Sequence, residues 1–177
     1  MNLKPLIHRL KRAAVRDRRR AALHEAGHAL VFLRLTGMSP RARIFPNPEI
    51  HADETFWLGH VETWREHRPS GRELRLFGLA GVVGEHVDDL DGYDEDLMHS
   101  MFEAVSDTDW AAIGTTFDKV RSDEVSLHDE MDELVELFSN PEFAADHARW
   151  ARLLIVEAAN RWPGPVPTPD IYLRHRP

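Results

Sequence analysis

The sequence predicts a mainly α-helical chain with one small β-sheet, an α+β domain built around a single buried helix. Three observations predict it. Apolar residues recur at three- and four-residue intervals through most of the chain. Only residues 42–45 and 55–64 are rich in β-branched and aromatic residues, and a loop containing Pro46 and Pro48 separates them. The third observation is His24-Glu25-Ala26-Gly27-His28, set inside the apolar stretch 21–35.

Composition narrows the class. A chain of 177 residues, 42% hydrophobic and 29% charged, is long enough for one domain with a real core. It has no cysteine, so disulfides and thiolate metal sites are excluded. No apolar run approaches the roughly 20 residues that span a bilayer, and residues 1–20 lack the apolar core of a secretory signal; the expected location is the cytoplasm. The net charge of −8 is unevenly spread. Residues 1–20 hold eight Lys or Arg against Asp17, whereas residues 85–136 hold 18 acids against Lys119 and Arg121. The acidic half argues against a nucleic-acid surface there.

The first helix is expected to begin after Pro5, with a basic lead-in at 1–17 whose Leu3, Leu6, Ile7, Leu10 and Ala14 fall at helical spacing. This lead-in either packs on the body or touches a membrane or nucleic acid. The helix either breaks near Arg18 to Arg20 or runs straight on to Leu35, and Gly37 then ends it. Residues four apart share a helix face, so His24 and His28 form a clamp for a divalent ion. Glu25 lies about 100° further round, where it can reach a water without binding the ion, as a general base would. Zinc in such a site takes neutral imidazoles and a third protein ligand and keeps a position open, which points to amide hydrolysis.

The surroundings of the motif raise its weight. Val31, Phe32 and Leu35 flank the histidine face, Leu23, Ala26, Leu30 and Leu33 oppose it, and only a stripe near Arg20, Gly27 and Arg34 is left for solvent. Imidazoles and a carboxylate on a helix buried on most sides are costly unless paired or ligating. The plainer alternative is two satisfied core histidines. Gly27, inside a helix, marks close approach of another element.

Residues 42–45 and 55–64 are expected to form an antiparallel pair, whose edge could hold a substrate backbone as an added strand. His51, His60 and His67 read as surface or loop histidines. Ser70-Gly71-Arg72-Glu73 has capping-box spacing and opens a Gly-rich helix through Val87 that can lie close on the histidine helix. At its end, Glu85 and His86 are partners of the metal ligands, a spare ligand, or a polar helix terminus. Residues 88–96 lack the ligand spacing of an EF-hand and read as a solvated acidic turn. A helix follows at 97–105, and Ser106 opens another with Trp110, Ile113 and Phe117 on one side. Asp109 there completes a capping box with Ser106, supplies the third metal ligand, or does both. Residues 123–138 and 141–162 read as amphipathic helices, and 163–177 as an extended Pro-rich tail.

The run Arg18-Arg19-Arg20-Ala21-Ala22-Leu23-His24-Glu25-Ala26-Gly27-His28-Ala29-Leu30-Val31 resembles the start of the peptidase domain of the FtsH family of ATP-dependent zinc metalloproteases, peptidase family M41. Gly59-His60-Val61, Leu79-Ala80-Gly81 through Glu85, and residues 106–112 are similar to it in the same order, so the resemblance covers about residues 18–120. It implies a mainly α-helical, zincin-like HEXXH metallopeptidase domain across 18–162 in which His24, His28 and an Asp bind zinc and Glu25 activates water. By position Asp109 is the better match for the third ligand and Asp107 the reserve. Leu90-Asp91-Gly92 resembles instead the Asp motif of intramembrane site-2 proteases, which would make Asp91 the ligand, but the chain shows no spans. With no P-loop or nucleotide-binding domain, the resemblance implies a stand-alone domain acting on peptides or unfolded segments, presented in some cases by a separate protein, with Zn2+ as cofactor and no nucleic-acid partner. The competing class is a catalytically silent binding or regulatory protein on the same fold, against which the retention of Glu25 speaks. A third class, a nucleic-acid-binding regulator, would act through residues 1–20.

Overall fold

The computed structural model describes residues 4–47, 56–62 and 69–162, with backbone alone at 4–8 and at Leu10. The tail at 163–177, His51, His67, Leu3, the strand ends at Thr55, Thr63 and Trp64, and the side chains of Leu6, Ile7 and Leu10 lie outside the described residues. Within them the chain is mostly helical with one two-stranded antiparallel sheet, so the α+β expectation is met. The order is α1 (Lys4–Thr36), β1 (Arg41–Pro46), β2 (Trp57–Glu62), α2 (Gly71–Glu85), a 3-10 segment (Val87–Gly92), α3 (Glu95–Ala104), α4 (Asp107–Ile113), α5 (Phe117–Arg121), α6 (His128–Ser139) and α7 (Pro141–Arg161).

Helix α1 is one element of 33 residues, unbroken at Arg18 to Arg20. After Pro5 only Gly27 weakens its interior, and helix-favouring Ala, Leu and Arg dominate it. It stops where Gly37 takes φ 69 and its N–H closes on the Leu33 carbonyl at 2.8 Å. One side of α1 is faced with small residues: Ala22 and Ala26 pack with Ile44 and Trp57 of the sheet and with Ala151, Leu154 and Ala158 of α7. Its far end meets Val61 and Phe77 through Ala29 and Phe32.

The opposite side of α1 lies on α2. Ser70 and Glu73 make the expected reciprocal capping box that starts α2. Leu76, Leu79, Val82 and Val83 of α2 then enter the main core with Met101 and Phe102 of α3, Trp110 and Ile113 of α4, and Met131, Leu134 and Phe138 of α6. The solvent stripe expected on α1 holds at Arg20 and Arg34 but not at Gly27, which is buried. A Cβ there would overlap the Ala80 carbonyl, so the two helix backbones meet at this point.

Smaller differences have local causes. Phe117 does not share a helix with Trp110, because Gly114 adopts φ 80 and ends α4, and Thr116 caps a new helix. Helix α6 begins at His128 rather than near 123. The acidic stretch at 88–96 is a 3-10 turn followed by Asp94, which caps α3 through the Leu97 N–H at 2.9 Å. Among the described residues no helix is long and apolar enough to cross a membrane.

Gly27→Ala is expected to force α1 and α2 apart and cost about 2 kcal/mol, as overpacked cores do. Gly92→Ala, where a Cβ meets nothing within 4 Å, should stay within about 0.5 kcal/mol of wild type. Urea unfolding midpoints of the two variants check this.

Candidate metal centre

Two four-residue spacings, one on each of two packed helices, build the site. His24 and His28 project from α1, while Phe77, Gly81 and Glu85 stand on one face of α2. Gly81 is the centre of the contact: a Cβ there would lie 2.5 Å from both His24 Cε1 and His28 Nε2. The absent side chain is where the imidazoles sit.

On either side of Gly81, α2 orients one ring. His28 Nδ1 donates to the Phe77 carbonyl at 2.7 Å, and His24 Nδ1 donates to Glu85 Oε1 at 2.7 Å. Arg20, one turn before His24 on α1, pairs with the other Glu85 oxygen. With both Nδ1 atoms held this way, both Nε2 atoms face a common point, the tautomer a metal ligand requires. Burial works to raise the Glu85 pKa, and the hydrogen bonds and charges of His24 and Arg20 outweigh it and keep the group ionised.

Asp109 closes the group from α4. The Ser106 hydroxyl accepts the Asp109 N–H at 3.2 Å and donates to Asp109 Oδ2 at 2.7 Å, so the cap that starts the helix also holds the carboxylate. Asp109 Oδ2 is 3.2 Å from His24 Nε2, Oδ1 is 3.2 Å from His28 Nε2, and the two Nε2 atoms are 3.0 Å apart. Burial alone would raise the Asp109 pKa; the hydrogen bonds from His24 and His28 hold it far below the usual carboxylate range. Asp107, two residues earlier, is exposed, and so is Asp91. Of the three carboxylates considered from the sequence, only Asp109 joins the histidines.

These residues fit a zinc ion. Donor atoms about 2.0–2.1 Å from one centre in tetrahedral arrangement stand about 3.3 Å from each other, close to the three separations found here. Two imidazoles and a carboxylate suit zinc. Without an ion, nitrogens and oxygens this close require protons between them. Burial lowers the His24 pKa, yet its hydrogen bonds to Asp109 and Glu85 prevail and raise it to about 10.

Glu25 lies beside this group and is 6% exposed. Among the described residues no hydrogen bond or ion pair reaches its carboxylate. Its side chain fills the space over Gly59 of β2, where a Cβ would overlap Glu25 Cγ. Burial raises its pKa, with His28 and His24 offsetting part of the shift. All four side chains border a cavity of about 450 Å3 that is walled also by β2, Phe77 and the start of α4. His60, expected at the surface, is an exposed residue of β2 at that cavity, and His86 turns away to Asp89 at 3.6 Å.

Sequence reasoning missed three supports. Asp17 accepts the N–H groups of Phe56 and Trp57. His147, fully buried on α7, donates from Nε2 to the Leu23 carbonyl at 2.8 Å, just before His24; burial lowers its pKa, so it does this as a neutral ring. Gly59 makes room for Glu25. Two of these had signals, a lone acid in a basic run and a glycine inside a strand. Neither a family model nor a curated protein matches the chain.

Zinc must displace the proton held by His24, whose pKa of about 10 keeps it protonated at neutral pH. Affinity is therefore expected to rise with pH below that value, about tenfold per unit for each proton released. Isothermal titration in buffers of different ionisation enthalpy measures both quantities. Glu85→Gln should weaken zinc binding by about 10- to 100-fold with the fold retained.

Proposed function

We propose that the chain is a zincin-like, M41-like metallopeptidase that hydrolyses peptide bonds in peptides or unfolded protein segments. The observation that carries the reading is Glu25, a buried acid on the wall of a cavity beside three convergent donors, with no hydrogen bond or ion pair to it among the described residues. A largely buried carboxylate that the described residues leave unpaired is costly, and its place on the cavity wall lets it meet a water or a substrate. Binding an ion needs His24, His28 and Asp109 but not Glu25.

His24, His28 and Asp109 would hold zinc, with Glu85 and the Phe77 carbonyl keeping the two rings oriented. When bound there, zinc supplies Lewis-acid polarisation of the scissile carbonyl and makes a water more acidic. Glu25 takes a proton from the attacking water, and its raised pKa makes it a better base than an ordinary glutamate. The same carboxyl then returns the proton to the departing amine, completing hydrolysis. The cavity and its strand wall would hold an extended segment of substrate.

Glu25→Gln should keep zinc and lose hydrolysis by about 100-fold or more, while His28→Ala and Asp109→Ala lose both. Asp107→Ala should behave as wild type. Zinc content by elemental mass spectrometry and casein cleavage on the same samples test this. Equal zinc loss in Glu25→Gln and His28→Ala would contradict the roles, and full zinc without cleavage in the wild type would favour the silent binding protein.

A further inference from the structure

The β1–β2 ladder shows which backbone groups of β2 are in use. Asn47 N–H donates to the Phe56 carbonyl at 2.9 Å, and bonded positions alternate in an antiparallel pair, so the Phe56 carbonyl and both backbone groups of Leu58 and His60 turn toward β1. Pro46, opposite Trp57, has no N–H to give, as suits a non-bonded position. Trp57, Gly59 and Val61 therefore direct theirs to the opposite edge. The cavity is lined by five consecutive residues of β2, 57–61, which a strand produces when it presents its backbone edge rather than one side-chain face.

Asp17 meets that edge at one end. Its Oδ2 accepts the Phe56 N–H at 2.6 Å and the Trp57 N–H at 2.8 Å. It stands seven residues before His24 on α1, about 10 Å along the axis. Among the described residues Gly59 and Val61 have no hydrogen-bond partner beyond the ladder. The edge thus offers two free positions beside Glu25 and a third already filled.

We propose that Asp17 is the end stop of a peptide-binding edge: a peptide added to β2 pairs with Gly59 and Val61 but is halted at Trp57, whose N–H Asp17 already holds. Asp17 then limits how many substrate residues are gripped on that side, a specificity role that rests on the peptidase reading above. The stop needs an acceptor oxygen and no charge, so an amide serves equally well.

The test uses the zinc-loaded full chain and alanine peptides of three and five residues carrying a hydroxamate chelator at either terminus. Amide hydrogen exchange and dissociation constants are measured for wild type, Asp17→Asn and Asp17→Ala. In the wild type, peptide binding should slow the Gly59 and Val61 amides, the Trp57 amide should be slow already, and the longer peptide directed toward Trp57 should bind no tighter than the shorter. Asp17→Asn should match it. In Asp17→Ala the Trp57 amide should exchange fast until the five-residue peptide binds, and that peptide should gain about fivefold over the shorter one, the effect of one net hydrogen bond. A longer-peptide gain of that size in the wild type overturns the stop even if Asp17→Ala does not fold. Responsive Gly59 and Val61 amides with Asp17→Ala behaving as wild type also overturn it while leaving the peptidase reading intact. Unresponsive Gly59 and Val61 amides in the wild type mean that the edge does not bind peptide, and the stop falls with it.

Discussion

The backbone of α1 lies directly on the backbone of α2, and the whole site depends on that approach. At Gly27 the contact is glycine against the Ala80 carbonyl; at Gly81 it is glycine against the two imidazole rings. A Cβ at Gly27 would press the two helix backbones apart, and one at Gly81 would push the imidazole rings out of place. The rings would then lose the Phe77 carbonyl and the Glu85 carboxylate, whose hydrogen bonds decide which nitrogen faces the common point. Close packing here is a condition for the convergence of the donor atoms as well as for stability.

Charge explains why so many supporting residues are needed. Three carboxylates, Glu25, Glu85 and Asp109, crowd around two imidazoles in a part-buried space, and each is handled differently. Glu85 is neutralised by Arg20 and His24. Asp109 is held by His24, His28 and the Ser106 hydroxyl. Among the described residues Glu25 receives only the charge of its neighbours, and of these three acids it alone has its pKa raised. Three acids of similar intrinsic strength are thus set to different proton affinities by their partners, the arrangement from which separate roles in acid and base chemistry follow.

Much of this was legible in the sequence because its causes are local. The i, i+4 histidines, the Gly-rich stretch of α2 and the caps at Ser70 and Ser106 each depend on residues within one or two turns, so pattern alone locates them. The capping residue also explains why Asp109 rather than Asp107 faces inward: the third helical position is the one whose N–H a Ser106 side chain can take. What escaped depends on distant pairing. Nothing near Asp17 announces that it meets Trp57, 40 residues later, and His147 finds Leu23 across a separation of 124 residues. Phe117 was misassigned for a different reason, since its helical spacing from Trp110 and Ile113 was real but Gly114 ended the helix first.

Strand β2 illustrates how the long-range and local parts are joined. Along its length it meets α1 three times: Trp57 at Asp17, Gly59 at Glu25, and Val61 in the cluster with Ala29 and Phe32. A slip of one residue would bring Leu58 or His60 over Glu25, where no Cβ fits, and would turn Trp57 and Val61 out of the core. The acid assigned to the chemistry therefore also helps to set the register of the strand beside it. That coupling makes the free edge of β2 a reference line fixed against His24 and His28, so a peptide paired to it would be positioned by the same contacts that orient the imidazoles.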